Sequence, residues 1–163
     1  MSQYKCRGLQ VSLLDKLIDD NPQEPEARDG HNGAGLNQVR ANVRRDLENL
    51  LNAKVPWQTW PACYRELDHS LVNYGLQDFS SMAVGSLEGR QLLCQKVADA
   101  IKRFEPRFIE VEVATVDNEQ PLDRILRLRI SALLYADPEP EYICFDSEVE
   151  PVHLGMKVQE TEL

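Results

Sequence analysis

The chain has 163 residues, of which 42% are apolar, and its 27 acidic and 18 basic side chains leave a net charge of −9. Length and apolar content predict one packed domain of ordinary size and exclude a fully disordered chain. The negative balance argues against a nucleic-acid or anionic-membrane surface, both of which reward Lys and Arg, and favours a protein partner or a cationic ligand. No apolar run reaches bilayer length, and the opening MSQYKCRGLQ has no signal-peptide core, so a cytoplasmic location is expected. Cys6, Cys63, Cys94 and Cys144 are scattered without a CxxC pair, which predicts reduced thiols, no metal site and no cofactor.

Val11 to Asp20 forms a short amphipathic segment in which Val11, Leu14, Leu17 and Ile18 share one helical face, begun by Ser12 or Gln10. Asn21 to Gly35 holds two prolines, three glycines and no periodic apolar residues, and is read as a flexible linker. An amphipathic helix on such a leash docks on its own body or on a partner, so Leu14, Leu17 and Ile18 are candidate partner-binding residues. The glycines from Gly30 to Gly35 lack the preceding strand and the following Gly-Lys-Ser/Thr of a phosphate loop.

Leu36 to Asn52 is the clearest helix, with Leu36, Val39, Val43, Leu47, Leu50 and Leu51 on one stripe and Arg40, Arg44, Arg45 and Glu48 opposite. A shorter helix is expected to carry Tyr64, Leu67, Leu71 and Tyr74 and to stop at Gly75. Trp57 and Trp60 flank Pro61, and core plugs are the favoured reading over an interface. Ser86 to Phe104 is a third helix with Ser86 as N-cap and Leu93, Val97, Ala100, Ile101 and Phe104 buried.

Beyond Phe104 the apolar period becomes two. Ile109, Val111 and Val113 alternate with Glu110 and Glu112; Leu126, Leu128, Ile130, Ala132 and Leu134 alternate with Arg127, Arg129 and Ser131. These predict a hairpin with cross-strand Glu–Arg pairs on its charged face, followed by a third strand in YICFDSEV. The fold class is therefore α+β, with amphipathic helices on one face of an antiparallel three-stranded meander. The domain divides into an N-terminal helix and linker (1–35), a body (36–150) and a polar, partly loose tail (151–163). The third strand, Tyr142 to Val149, should form an open edge, with Ile143 and Phe145 facing inward and so fixing the register of an added strand.

Between the helical and the alternating regions stands Glu105-Pro106-Arg107. Proline turns Glu105 out of the helix and donates no amide proton, so an extended backbone with Glu105 and Arg107 on one side is expected. On physical grounds alone this is a helix stop with a local ion pair; a preorganised protein contact is the functional alternative. In order, SLLDKLIDD, RRDLENLLN, SLVNYGLQDF, IKRFEPRF and ICFDSEVEP resemble the TssE family of the bacterial type VI secretion system, over nearly the whole chain. That family is similar to the small baseplate wedge protein of contractile-tailed phages, and Glu-Pro-Arg after an amphipathic helix is its most specific element. Phe108 replaces a usual leucine and Gln77 a common proline.

The resemblance implies a structural subunit of a baseplate docked at the inner membrane. It would join the wedge proteins TssF and TssG within a TssK-containing baseplate, beside the first ring of the TssB/TssC sheath, and help to template that sheath. Glu105, Pro106 and Arg107 would then contact a wedge partner more than they stabilise the fold. A phage or phage-tail-like baseplate protein is the alternative, separable by neighbouring genes. The family's "lysozyme-like" label implies a glycoside hydrolase, but no acid pair is singled out, and Arg107 beside Glu105 opposes a raised pKa. Asp68, His69 and Ser70 are sequence neighbours and do not face one another as a triad requires. His31 and His153 support no metal site. An enzyme is not expected.

Overall fold

The computed structural model describes residues 12, 15, 17, 36–79, 82, 85–116, 126–136, 139–149 and 155–161. The linker Asn21–Gly35, the side chains of Leu14 and Ile18, Cys6, His31 and His153 lie outside the described residues.

Helix α1 spans Leu36–Asn52 and α2 spans Leu87–Phe104. Their predicted stripes are the buried ones: Val39, Val43, Leu47, Leu50 and Leu51 on α1, and Leu93, Val97, Ala100 and Ile101 on α2. Each buried Val, Leu or Ile side chain among them contributes about 1.5–3 kcal/mol by leaving water. Ser86 caps α2 by accepting the Gly89 N–H at 3.1 Å, Glu88 lies in the first turn, and Lys102 and Arg103 complement the dipole in the last.

Four strands follow: β1 Phe108–Val116, β2 Leu126–Leu134, β3 Glu141–Val149 and β4 Met156–Thr161. They form one antiparallel sheet in the order β1-β2-β3-β4. The sheet has four strands, where the alternation predicted three. The fourth comes from the tail expected to be partly loose, because its short pattern carries only Met156 and Val158 inward. Consequently β3 is an interior strand and not the open edge expected; Ile143 and Phe145 do face inward and lie in the core.

What holds β4 is tertiary. The Asn52 side chain, at the end of α1, donates to the Met156 carbonyl at 2.8 Å and accepts the Met156 N–H at 2.9 Å. One amide thus copies the pairing of a neighbouring strand. Arg40 on α1 adds ion pairs to Glu141 on β3 and, at 3.4 Å, to Glu160 on β4.

Register explains two further differences. An irregularity between Phe108 and Glu110 leaves Ile109 as an extra residue, more than half exposed, while Phe108 pairs with Leu134 and Val111 with Ala132. A bulge of this kind rotates one side chain out of the alternation. On the charged face, Arg127–Glu148 and Arg129–Asp146 pair β2 with β3. Glu112 stands opposite Ser131, whereas Arg129 meets Ala114.

The expected helix through Tyr64 and Tyr74 is two 3-10 turns, Arg65–His69 and Leu71–Asn73. Ser70 is extended, and both its N–H (3.2 Å) and its Oγ (2.8 Å) donate to the Leu67 carbonyl, closing the first turn. Such local side-chain bonds compete with helix propagation. Trp57 is not a core plug but 92% exposed, and Trp60 Nε1 donates to Asp68 at 3.2 Å. Gly75 does act as the stop. With φ +119° it turns the chain so that Leu76 bonds Ala53 and Val55 at 2.9 and 3.0 Å and buries its side chain.

Candidate functional site

The joint between α2 and β1 is a turn. The Glu105 N–H closes α2 on the Ile101 carbonyl at 2.8 Å, and the Phe108 N–H reaches back to the Glu105 carbonyl at 3.4 Å. Pro106 occupies the second position of that turn, where its fixed φ is favourable. The expected extended backbone is therefore replaced by a turn, yet Glu105 and Arg107 still meet on one side.

That side is the interior. Glu105 is 6% and Arg107 7% exposed, while Pro106 faces solvent. Arg107 Nε donates to Glu105 Oε1 at 2.6 Å and Nη2 to Oε2 at 2.5 Å, a two-point fork; the Arg107 N–H adds a 3.2 Å bond to Oε1. Nη2 also reaches Asp46 Oδ2 on α1 at 2.6 Å. The pair closes on itself and on α1, and so braces helix α1 against the α2–β1 joint. Nη1 of Arg107 is buried without a partner among the described residues. Burial alone would pull the Arg107 pKa down, but the Glu105 and Asp46 carboxylates outweigh it and raise it. Tyr74, edge-on to Phe104 with ring centres 5.3 Å apart, has its phenol pKa raised by burial and then by the charges of Asp46 and Glu105.

The cluster extends to the N-terminal segment. Arg45 Nη2 donates to Asp46 Oδ1 at 3.2 Å and also pairs with Asp15. Asp15 and Ser12 form a reciprocal cap, with the Asp15 N–H on Ser12 Oγ at 3.1 Å and the Ser12 N–H on Asp15 Oδ2 at 3.3 Å. Ser12, one of two N-caps open in the sequence, is thus the capping residue. Burial opposes ionisation of Asp15, but its bonds from Ser12 and Arg45 prevail and lower its pKa; the bond to Asp15 in turn raises that of Arg45. Leu17 is helical and 76% exposed. Neither Asp15, Arg45 nor Asp46 was singled out by the sequence. The one available signal was Ser12 followed three residues later by Asp15.

Sheet geometry supplies a second surface. Because Asn52 takes both backbone groups of Met156, those groups point away from β3. By alternation the backbone groups of Val158 and Glu160 point the same way, along the outer edge of β4. Among the described residues, no group of three His, Cys, Asp or Glu side chains is placed to hold a metal ion. Asp68 and Ser70 are turned to Trp60 and to the Leu67 carbonyl respectively. No described helix is long and apolar enough to cross a membrane.

A helix pair packed on an antiparallel sheet, with an ion cluster spent on internal bracing and β4 as an outer strand of the sheet, describes a small scaffold subunit. The family model for baseplate wedge protein gp25 matches residues 37–139, and the chain belongs to that family. Among solved structures, a chain of "The baseplate complex from the type VI secretion system" aligns with 18% identity and a TM-score of 0.47, covering 70% of this chain and 96% of that one. No curated protein matches the chain.

Proposed function

We propose that this baseplate wedge protein is the TssE-type subunit of a type VI secretion baseplate, joining TssF and TssG and presenting an edge on which the first TssB/TssC sheath ring is templated. The family match over 37–139 is the observation that carries the structural baseplate role. Glu-Pro-Arg at the α2–β1 joint and the other segments resembling TssE support the secretion assignment; a phage or phage-tail-like particle is the alternative, and a neighbouring set of secretion genes would decide between them.

In this reading the joint meets the wedge through exposed Pro106, while Glu105 and Arg107 hold its shape from behind. The sheath-facing edge is β4, not β3, because only an outer strand has backbone groups to offer. Asn52 blocks that edge at Met156, so an added strand would start beyond it and its register would be set by Val158 and Glu160.

The edge is tested by Glu160→Pro against Glu160→Ala in cells. Both lose the contact to Arg40, but only proline removes the outward amide donor. Sheath tubes are expected to fall about tenfold with proline relative to alanine, for a lost register-setting bond of roughly 1.5 kcal/mol. Equal tube counts, in variants shown to be folded by their melting curves, would exclude β4 as the template.

As a scaffold, the purified protein is expected to leave a peptidoglycan suspension unchanged in a turbidity assay. Turnover that vanishes on removing a single carboxylate would overturn the non-enzymatic reading.

A further inference from the structure

We propose that the cleft between residues 73–77 and α2 binds an extended acidic segment of a partner protein, which pairs its backbone with residues 75–77 and turns one carboxylate to Arg103. The cleft is defined by this chain alone and stands apart from the baseplate reading.

Gly75 and Gln77 line the cleft from one side, and Lys96, Asp99 and Arg103 of α2 from the other. Its volume is about 160 Å³, below the roughly 300–1,000 Å³ of a small-ligand pocket and of a size for one side chain.

Its backbone edge follows from the bridge to Lys54. The Leu76 N–H bonds the Ala53 carbonyl at 2.9 Å, and the Leu76 carbonyl accepts the Val55 N–H at 3.0 Å. Across a trans peptide the N–H and the C=O point opposite ways. The Gly75 carbonyl and the Gln77 N–H therefore both point away from residues 53–55, and neither group has a hydrogen-bond partner among the described residues. They bracket Leu76 as the Ala53 carbonyl and the Val55 N–H bracket Lys54. One extended residue running parallel can bond both.

The facing charges select the occupant. Lys96 gives one of its three donors to Gln77 Oε1, at 2.8 Å, and so ties α2 to this segment. The Arg103 guanidinium makes no ion pair or hydrogen bond among the described residues, so its fork is open to a carboxylate. Asp99 opposes these two cations, which still leaves the cleft positive in a chain of net charge −9. The rim is apolar. Trp57, two residues past Val55, and Leu71, two before Asn73, stand almost fully in solvent. Large exposed apolar side chains beside a one-residue cleft are the anatomy of a docking hot spot.

The test uses the labelled full chain and, as probe, an arrayed positional-scanning library of heptapeptides. The wild type is expected to select Glu or Asp at one position. Arg103→Gln should erase that preference and weaken the selected peptide about tenfold by anisotropy, as for one lost charge-assisted bond. Asp99→Asn should tighten it about threefold. Both side chains are exposed, so melting curves should stay at the wild-type temperature. Lys102→Gln, on the same helix but outside the cleft, should leave binding unchanged. Methylating the peptide amides one at a time should abolish binding at a single position, the one that donates to the Gly75 carbonyl. No acid selected, a preference that survives Arg103→Gln, equal losses with Lys102→Gln and Arg103→Gln, or tolerance of every methylated amide would each overturn the proposal.

Discussion

Replacing Arg107 by alanine is expected to destabilise the fold by about 3–5 kcal/mol, the usual cost of removing one partner from a buried ion pair. Its guanidinium answers both oxygens of Glu105 and one of Asp46. Without it the buried Glu105 carboxylate keeps, among the described residues, the 3.2 Å backbone donor of residue 107, and the ion pair from the α2–β1 joint to Asp46 on α1 is lost. For a domain of this size the loss lowers Tm on the order of 10 °C. Differential scanning calorimetry of Arg107→Ala checks the magnitude, and Glu105→Gln combined with Arg107→Met separates the two contributions. The double variant buries no unpaired charge, so it should recover a large part of the loss. A single variant melting within a degree or two of wild type would show that the cluster does not brace the fold. The direct-contact role read from the sequence would then be the stronger one.

Gly75→Ala is expected to cost about 3 kcal/mol or more, from two sources that no local adjustment relieves together. The residue sits at φ +119°, where a side chain costs about 1–3 kcal/mol of backbone strain. A Cβ built there would also lie 2.2 Å from the Ala53 carbonyl oxygen, the acceptor of the Leu76 N–H. Moving that carbonyl away breaks the short parallel bridge between Lys54 and Leu76 and pulls Leu76 from the core. Urea unfolding should show the midpoint falling with an unchanged slope. A neighbouring control, Gly85→Ala, has open space around its Cβ position and should unfold like wild type. Equal stability of the two variants would contradict the geometry at Gly75.

Much of the scaffold is legible in the chain because it is set by short-range pattern. The stripes of α1 and α2, the Ser86 cap, the Gly75 stop and the alternation in β2 and β3 depend on residues a few positions apart. The conjunction of Glu105 and Arg107 was legible as well, since proline confines the backbone between them. Their direction was not. Whether a forked ion pair faces water or the core depends on a carboxylate 61 positions away, Asp46, which no local pattern connects to it.

The same reason governs the fourth strand. Six residues with two inward apolar side chains are too weak a signal to distinguish from a polar tail. They become a strand because Asn52, 104 positions earlier, supplies two hydrogen bonds that mimic a neighbouring strand, and because Arg40 reaches Glu160. With β4 in place the edge moves outward by one strand: Ile143 and Phe145 point inward as expected, but β3, which carries them, no longer offers an edge to a partner. Trp57 moved the other way, to the surface, since the Ser70 closure left two short turns where a helix would have carried an apolar face. Local periodicity determined which segments are helices and strands. Long-range polar contacts decided which of their faces and edges remain free, because burial of a charge or a backbone group is settled only when its distant partner arrives.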